Sequence, residues 1–329
     1  MKKIIIAVEL TAAVLVGTAC TTDAPADELT SVTLMLDWVP NVNHTGIFVA
    51  QENGYFEQEG LQVEIVQPGE VYAEQAVTTG SVEFGISFQE QVSISRADGA
   101  PLVSIAAIVH EHTSGFAAPA GLDVESPADF EGLTYGAFGS PFEEPTLSSL
   151  MQCAGADFSE LAIVNVGFAD PLTLLDEGRV DLAWIFFGTQ GIIAEQRGIE
   201  LDIVMMNDYF GCIPNYYTPL FITNDTLIAE QPETVRAFVH AIARGYEFAA
   251  ANPEEAAQIL AAETPETGEA IIRASQQWLS PRYQGDAPQW GHQAEETWEA
   301  YTQWMVDNGV IDAPIPVEEA FTNDFLPNE

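Results

Sequence analysis

His44, His110 and His112 are the side chains that a search for metal or acid–base chemistry meets first. His110 and His112 would share one face of a continuing strand, because strand side chains repeat every two residues. Zinc needs three or four such ligands, and no CxxC or HExxH spacing supplies the rest, so these read as polar cleft or loop histidines. Nucleophilic catalysis fares no better. There is no GxSxG, no Walker loop and no GxGxxG, and nothing brings Cys212 to His44 as nucleophile and base.

The stronger pattern is aromatic. Asp37, Trp38 and Asn41 lie in the first β-to-α loop, with His44 at the next helix start. Phe138-Gly139-Ser140 follows the first strand of a second βα set, Trp184 and Phe187 lie in LAWIFF, and Asn215-Tyr216-Tyr217 follows the last strand of that set. In open α/β sheets ligands sit beyond the carboxyl ends of strands, so these residues would gather in one cleft. Aromatics and amides together suit a flat, hydrogen-bonding ring. The plainer alternative is that each aromatic is core, and it bears hardest on Trp184, which strand alternation would bury. Gly139-Ser140 before Glu143-Glu144 reads as a helix entry, a geometry that elsewhere cradles an anion. Glu143 and Glu144 oppose an anion and favour an amine or ring N–H; alternatively they complement the helix dipole.

Charge narrows the partners. The 329 residues include 9 Lys plus Arg against 50 Asp plus Glu, a net charge of -41. A chain this acidic repels phosphate backbones and anionic lipid, which excludes nucleic-acid binding and electrostatic membrane adhesion. The carboxylates are spread along the chain, and the pattern reads as adaptation to a saline medium. At the N-terminus, Lys2 and Lys3 precede an apolar run broken by Glu9, then Gly17-Thr18-Ala19-Cys20. This describes a secretory signal over residues 1–19 with Cys20 as a lipidated first mature residue, although Gly17 stands where such boxes usually carry Leu. Residues 20–30 form a polar tether. Cys153 and Cys212 lie in different kinds of segment and read as two separate structural cysteines rather than a pair.

The elements that must position the candidates form two series. Strands at 31–36, 61–66, 84–87 and 102–109 alternate with helices, and the pattern restarts with strands at 134–136, 162–166, 182–187 and 202–206. From Pro232 onward the spacing is helical. The expected architecture is α/β: two mostly parallel sheets flanked by helices, with lobe one from 31–118 plus 222–329, lobe two from 119–221, and the C-terminal helices packed on lobe one.

The segment LDWVPNVNHTGIFVAQENGYFEQEGLQVEI carries a further signal, supported by FGISFQE, IAAIVHEHTSGFA, GSPFEEP, DLAWIFFG, NYYTPLFIT and the tail WLSPRYQGDAPQWG through EEAFTNDFLP. It resembles the family of ABC-importer substrate-binding proteins related to thiamine-pyrimidine synthase, over about residues 31–327. The resemblance implies the two-lobed, type II periplasmic-binding fold and a ligand stacked on cleft aromatics. Carried over by position, it implies Asp37, Trp38, Asn41 and His44 in the first loop, Gly139, Ser140 and Glu143 in the lobe-two loop, and Tyr216 and Tyr217 near the hinge. It further implies an exported monomer without cofactor, tethered outside the cell membrane or in the periplasm, that serves an ABC permease and its ATPase. The expected ligand is a thiamine-related aminopyrimidine, with a riboflavin-like ring second and a sulfonate third. Relatives often carry Trp at the position of Phe138 and Tyr-Gly-Trp where this chain has Phe187-Gly188-Thr189, which points to a roomier or less polar pocket. The fungal synthases of the family use a cysteine-rich motif that this chain lacks, which disfavours a synthase role, and a metal-delivery role is disfavoured by the missing ligand spacing.

Overall fold

A computed structural model of the chain describes residue 1 and residues 29–69, 71–167 and 169–328. The signal segment after Met1, the Cys20 lipidation position and the tether through residue 28 lie outside the described residues.

Ten strands build two sheets among the described residues. They are β1 Thr30–Met35, β2 Leu61–Val66, β3 Phe84–Ser87, β4 Leu102–Ala107, β5 Ser114–Pro119, β6 Thr134–Ala137, β7 Ala162–Asn165, β8 Leu182–Phe186, β9 Leu201–Met205 and β10 Leu220–Asn224. The lobe-one sheet has the order β2-β1-β3-β10-β4 and the lobe-two sheet β7-β6-β8-β5-β9. In β1 the alternation of TSVTLM sends Val32 and Leu34 into the core. β3 lies inside its sheet and all four of its residues are buried.

The sheets are mixed. β10 runs antiparallel to β3 and β4, and β5 antiparallel to β8 and β9, while the other pairs are parallel. Both exceptions arrive directly from the opposite lobe, without the crossover helix that a parallel neighbour requires. Neither is marked by a helix before it, which is why the alternating βα pattern passed over them. The lobe-two sheet therefore begins at Ser114 and the lobe-one sheet resumes at Leu220, a few residues before the boundaries read from sequence.

The helix Pro232–Ala251 packs on lobe one with the helices Pro253–Glu263 and Glu269–Gln284. The helix Glu295–Asp307 corrects the expectation for the C-terminal third. Its Trp298, Tyr301, Trp304 and Met305 share one hydrophobic core with Tyr135, Leu147, Met151 and Tyr216, so it bridges the lobes. A second correction concerns the cysteines. Cys153, at the end of the helix Glu143–Cys153, is disulfide-bonded to Cys212, with their Cα atoms 5.9 Å apart. Their 59-residue separation spans three strands, and no local pattern announces such a contact.

Candidate functional site

The first loop is built as a braced platform. Asn41 caps a short turn, Val42–His44, by accepting the Asn43 N–H at 2.9 Å, and His44 Nδ1 accepts the Asn41 N–H at 3.2 Å. Because Nδ1 accepts, the proton of a neutral ring sits on Nε2 and is donated to Asp37 Oδ1 at 2.7 Å. The C-terminal helices hold the loop from beneath. Tyr246 donates to the Asn43 carbonyl and Tyr283 to the Val42 carbonyl, both at 2.7 Å, and Thr45 Oγ1 donates to Gln276 Oε1 at 2.7 Å. Gly46 is needed for this approach, since a Cβ there would lie 2.4 Å from the Tyr246 ring. Asn41 and the fully buried His44 thus use their polar groups within the loop and act as positioning residues. Trp38 stands 44% exposed at the platform's tip.

The lobe-two loop differs from its sequence reading. Glu143 is buried, and its carboxylate accepts from the backbone N–H of Phe138 at 3.0 Å, from those of Gly139 and Ser140 at 2.7 Å each, and from the Tyr135 hydroxyl at 2.7 Å. Burial and the adjacent carboxylate push the Tyr135 phenol well above its ordinary range. Gly139, at φ +101°, has the left-handed conformation that turns these N–H groups inward. Glu143 does not face a ligand amine, as proposed from its type alone; it fills the anion cradle with the chain's own charge. Glu144 is exposed.

Two segments, 108–113 and 206–219, carry the chain between lobes, and Asn215 ties them together. Its Oδ1 accepts the His112 N–H at 3.2 Å and its Nδ2 donates to the His110 carbonyl at 3.4 Å. Tyr217 is buried, with its hydroxyl accepting the Ala294 N–H at 2.8 Å. Tyr216 is buried too, its ring lying 4.1 Å from that of Tyr301 and 4.3 Å from that of His112. The strand period does not separate the two tyrosines into one cleft and one core residue; both point into packed surroundings. β4 ends at Ala107, so His110 and His112 do not extend a strand face. Burial pushes His112 down to about 3, which leaves it neutral beside Ser114. Among the described residues no group of three or more His, Cys, Asp or Glu side chains could hold a metal ion.

Trp184 is half-buried and donates from Nε1 to Ser114 Oγ at 2.8 Å. Its ring meets Phe116, Phe138 and Phe142 edge-on at 5.1, 5.9 and 6.0 Å. Phe187 crosses to lobe one, with its ring 4.9 Å from that of Trp278.

Sequence reasoning missed the carboxyl end of β3. Ser87 there donates to Glu74, whose carboxyl is pushed up by burial and by the charge of Asp37. Glu90 follows in the first turn of the helix Gln89–Ala97, 3% exposed, and burial pushes it up to about 8. The signal was present: the strand-end rule that selected the β1 loop applies equally to FGISFQE.

A family model described as "NMT1/THI5 like" matches residues 41–256. The chain belongs to this family. A formylaminopyrimidine-binding protein of Halalkalibacterium halodurans is 30% identical over 96% of this chain and 97% of its own length. The riboflavin-binding protein RibY of Chloroflexus aurantiacus is 26% identical over 94% of this chain and 91% of its own. Among solved structures, the alkanesulfonate-binding protein SsuA of Xanthomonas axonopodis pv. citri superposes with a TM-score of 0.69 over 90% of this chain and 99% of its own, at 13% identity. That likeness shows the fold, a two-lobed periplasmic-binding architecture, which this NMT1/THI5-like chain shares.

Proposed function

We propose that this protein is the extracytoplasmic solute-binding component of an ABC importer and that its interlobe cleft captures a small heteroaromatic solute, an aminopyrimidine of the thiamine-precursor type. The observation that carries the ligand class is the closure of the lobe-two cradle by Glu143. Three backbone N–H groups that would hold a sulfonate or carboxylate already hold a carboxylate. Lobe one adds Asp37 and Glu90 just after strand ends and Glu74, which accepts from Ser87 at one of them, a set that suits N–H donors rather than anions. Exposed Trp38 supplies the stacking face. The names of the relatives from Halalkalibacterium and Chloroflexus agree with a flat nitrogen heterocycle.

The mechanism is lobe closure. Two crossings, latched to each other by Asn215, let the lobes rotate, and a ligand touching both favours the closed form that a permease and its ATPase recognise. Cys20 is the proposed lipid anchor, holding a monomer outside the membrane. A Cys20→Ala variant should leave the membrane fraction or fail to mature; retention like wild type would remove the anchor from the account. No covalent step is proposed. The resemblance gives the fungal synthases a cysteine-rich motif, whereas two of the three cysteines here are joined in a disulfide. Mass spectrometry of solute released on denaturing the purified protein tests the ligand class: an intact aminopyrimidine is expected, and a sulfonate would overturn it.

A further inference from the structure

Two glutamine-family side chains start the helix Gln89–Ala97 and behave differently. Gln89 is committed to the hinge: its N–H donates to the Tyr217 carbonyl at 3.0 Å and its Oε1 accepts the Tyr217 N–H at 2.9 Å. Glu90 Oε2 is buried with no hydrogen-bond partner, and so are Gln89 Nε2 and Ser93 Oγ, while the hydroxyls of Tyr216 and Tyr301 have only each other. Glu90 interacts electrostatically with both phenols and with Glu74. Rings of Tyr301 and His112 lie on Tyr216, which leaves its hydroxyl edge, not a stacking face, for this corner. Proteins pair nearly all buried polar atoms. A knot of unmatched ones at the carboxyl end of a central strand, where this fold class holds its ligands, marks a place that a ligand completes.

Resting on the aminopyrimidine reading above, we propose that Glu90 reads the N–C–NH₂ edge of the ring. One carboxyl oxygen accepts from the exocyclic amine, and the other carries a proton and donates it to the adjacent ring nitrogen. That edge presents a donor beside an acceptor, and a carboxylic acid is its complement. Burial keeps Glu90 in the acid form at neutral pH, with the charge of Glu74 adding to the effect. The titratable groups that face it are Glu74 from the helix Ala73–Thr78, Tyr216 from the second crossing and Tyr301 from the helix Glu295–Asp307. Both phenols are held well above their ordinary range and do not titrate near neutrality.

Calorimetry with 4-amino-2-methylpyrimidine and its amine-free isostere 2,4-dimethylpyrimidine tests this on the intact protein. Wild type should prefer the amine by about tenfold or more, the worth of one good hydrogen bond pair. Glu90→Met should bind both compounds within about twofold of each other, having lost donor and acceptor together. Its melting temperature without ligand should equal or exceed that of wild type, since an unmatched carboxyl has been removed, whereas a purely structural role predicts a fall. Glu90→Gln covers the case in which Glu90→Met does not fold. Wild-type affinity should weaken as the carboxyl ionises above about pH 8, and in Glu90→Gln that weakening should vanish. A folded Glu90→Met that keeps the amine preference, or a Glu90→Gln whose pH profile matches wild type, overturns the assignment and leaves the ligand class standing. Wild type that binds neither pyrimidine overturns both.

Discussion

Glu143 and Glu90 share a local setting, although their strands hold different positions in the two sheets. Each is a buried glutamate in the first turn of a helix that follows a strand end, one in each lobe. Glu143 accepts from three backbone N–H groups and a phenol, and its negative charge is fully used within the fold. Glu90 has an oxygen with no partner and is pushed up to about 8. The difference lies in the donors around them. The left-handed Gly139 aims amides at Glu143, while Glu90 is surrounded by phenols, a glutamine and another acid. A buried carboxylate supplied with donors is architecture; one left without them is available to a ligand.

The largest effect should come from breaking the satisfied member. Glu143→Ala strands three N–H groups and the Tyr135 hydroxyl, at about 1–3 kcal/mol each, so chemical denaturation should show a loss of roughly 4 kcal/mol or more. A loss under about 1 kcal/mol would mean that water or the loop readily replaces the carboxylate.

Glu90 should give the opposite sign. Its folded pKa of about 8 lies above the ordinary 4.5, so the neutral acid fits the fold at low pH and stability is lost as pH rises through about 8. Wild type should therefore lose stability relative to Glu90→Gln between about pH 5 and 8, on the order of 3 kcal/mol. Parallel pH profiles of the two proteins would show that Glu90 ionises freely.

The exposed face comes next. Trp38→Ala should weaken ligand binding by roughly 1–3 kcal/mol through lost stacking, with the fold intact. His44→Ala should cost about 0.5–1.5 kcal/mol of affinity, because it acts by holding Asp37 and Asn41 and not by touching the ring. Unchanged affinity in Trp38→Ala would make that ring a surface residue only. The smallest shift is global: with a net charge of -41, the melting temperature should rise between about 0.05 and 1 M NaCl as salt screens repulsion. A flat curve would remove self-repulsion as a significant term.

The fold was legible because its periodicities are local. Alternation in TSVTLM and the proline-started helices after Pro232 need no tertiary knowledge. β5 and β10 escaped because their direction is set by the crossing between lobes, which no local pattern encodes. The site was legible as a neighbourhood and less so in its roles. Strand-end logic led to Trp38, Phe138 and Tyr216, but whether a polar group faces ligand or loop depends on partners far away in sequence. Tyr246 and Tyr283, some 200 residues downstream, brace the His44 loop. Glu143 illustrates the same limit: its residue type suggested a ligand contact, and its neighbours made it a plug.

The most direct test of the account is calorimetric competition on the full-length wild-type protein, with 4-amino-2-methylpyrimidine, riboflavin and an alkanesulfonate offered in turn. The filled cradle and the acidic strand ends of lobe one predict that the aminopyrimidine binds most tightly and that the sulfonate neither binds nor displaces it. A sulfonate that binds more tightly than the aminopyrimidine would contradict the assignment of Glu143 as the residue that closes this cleft to anions.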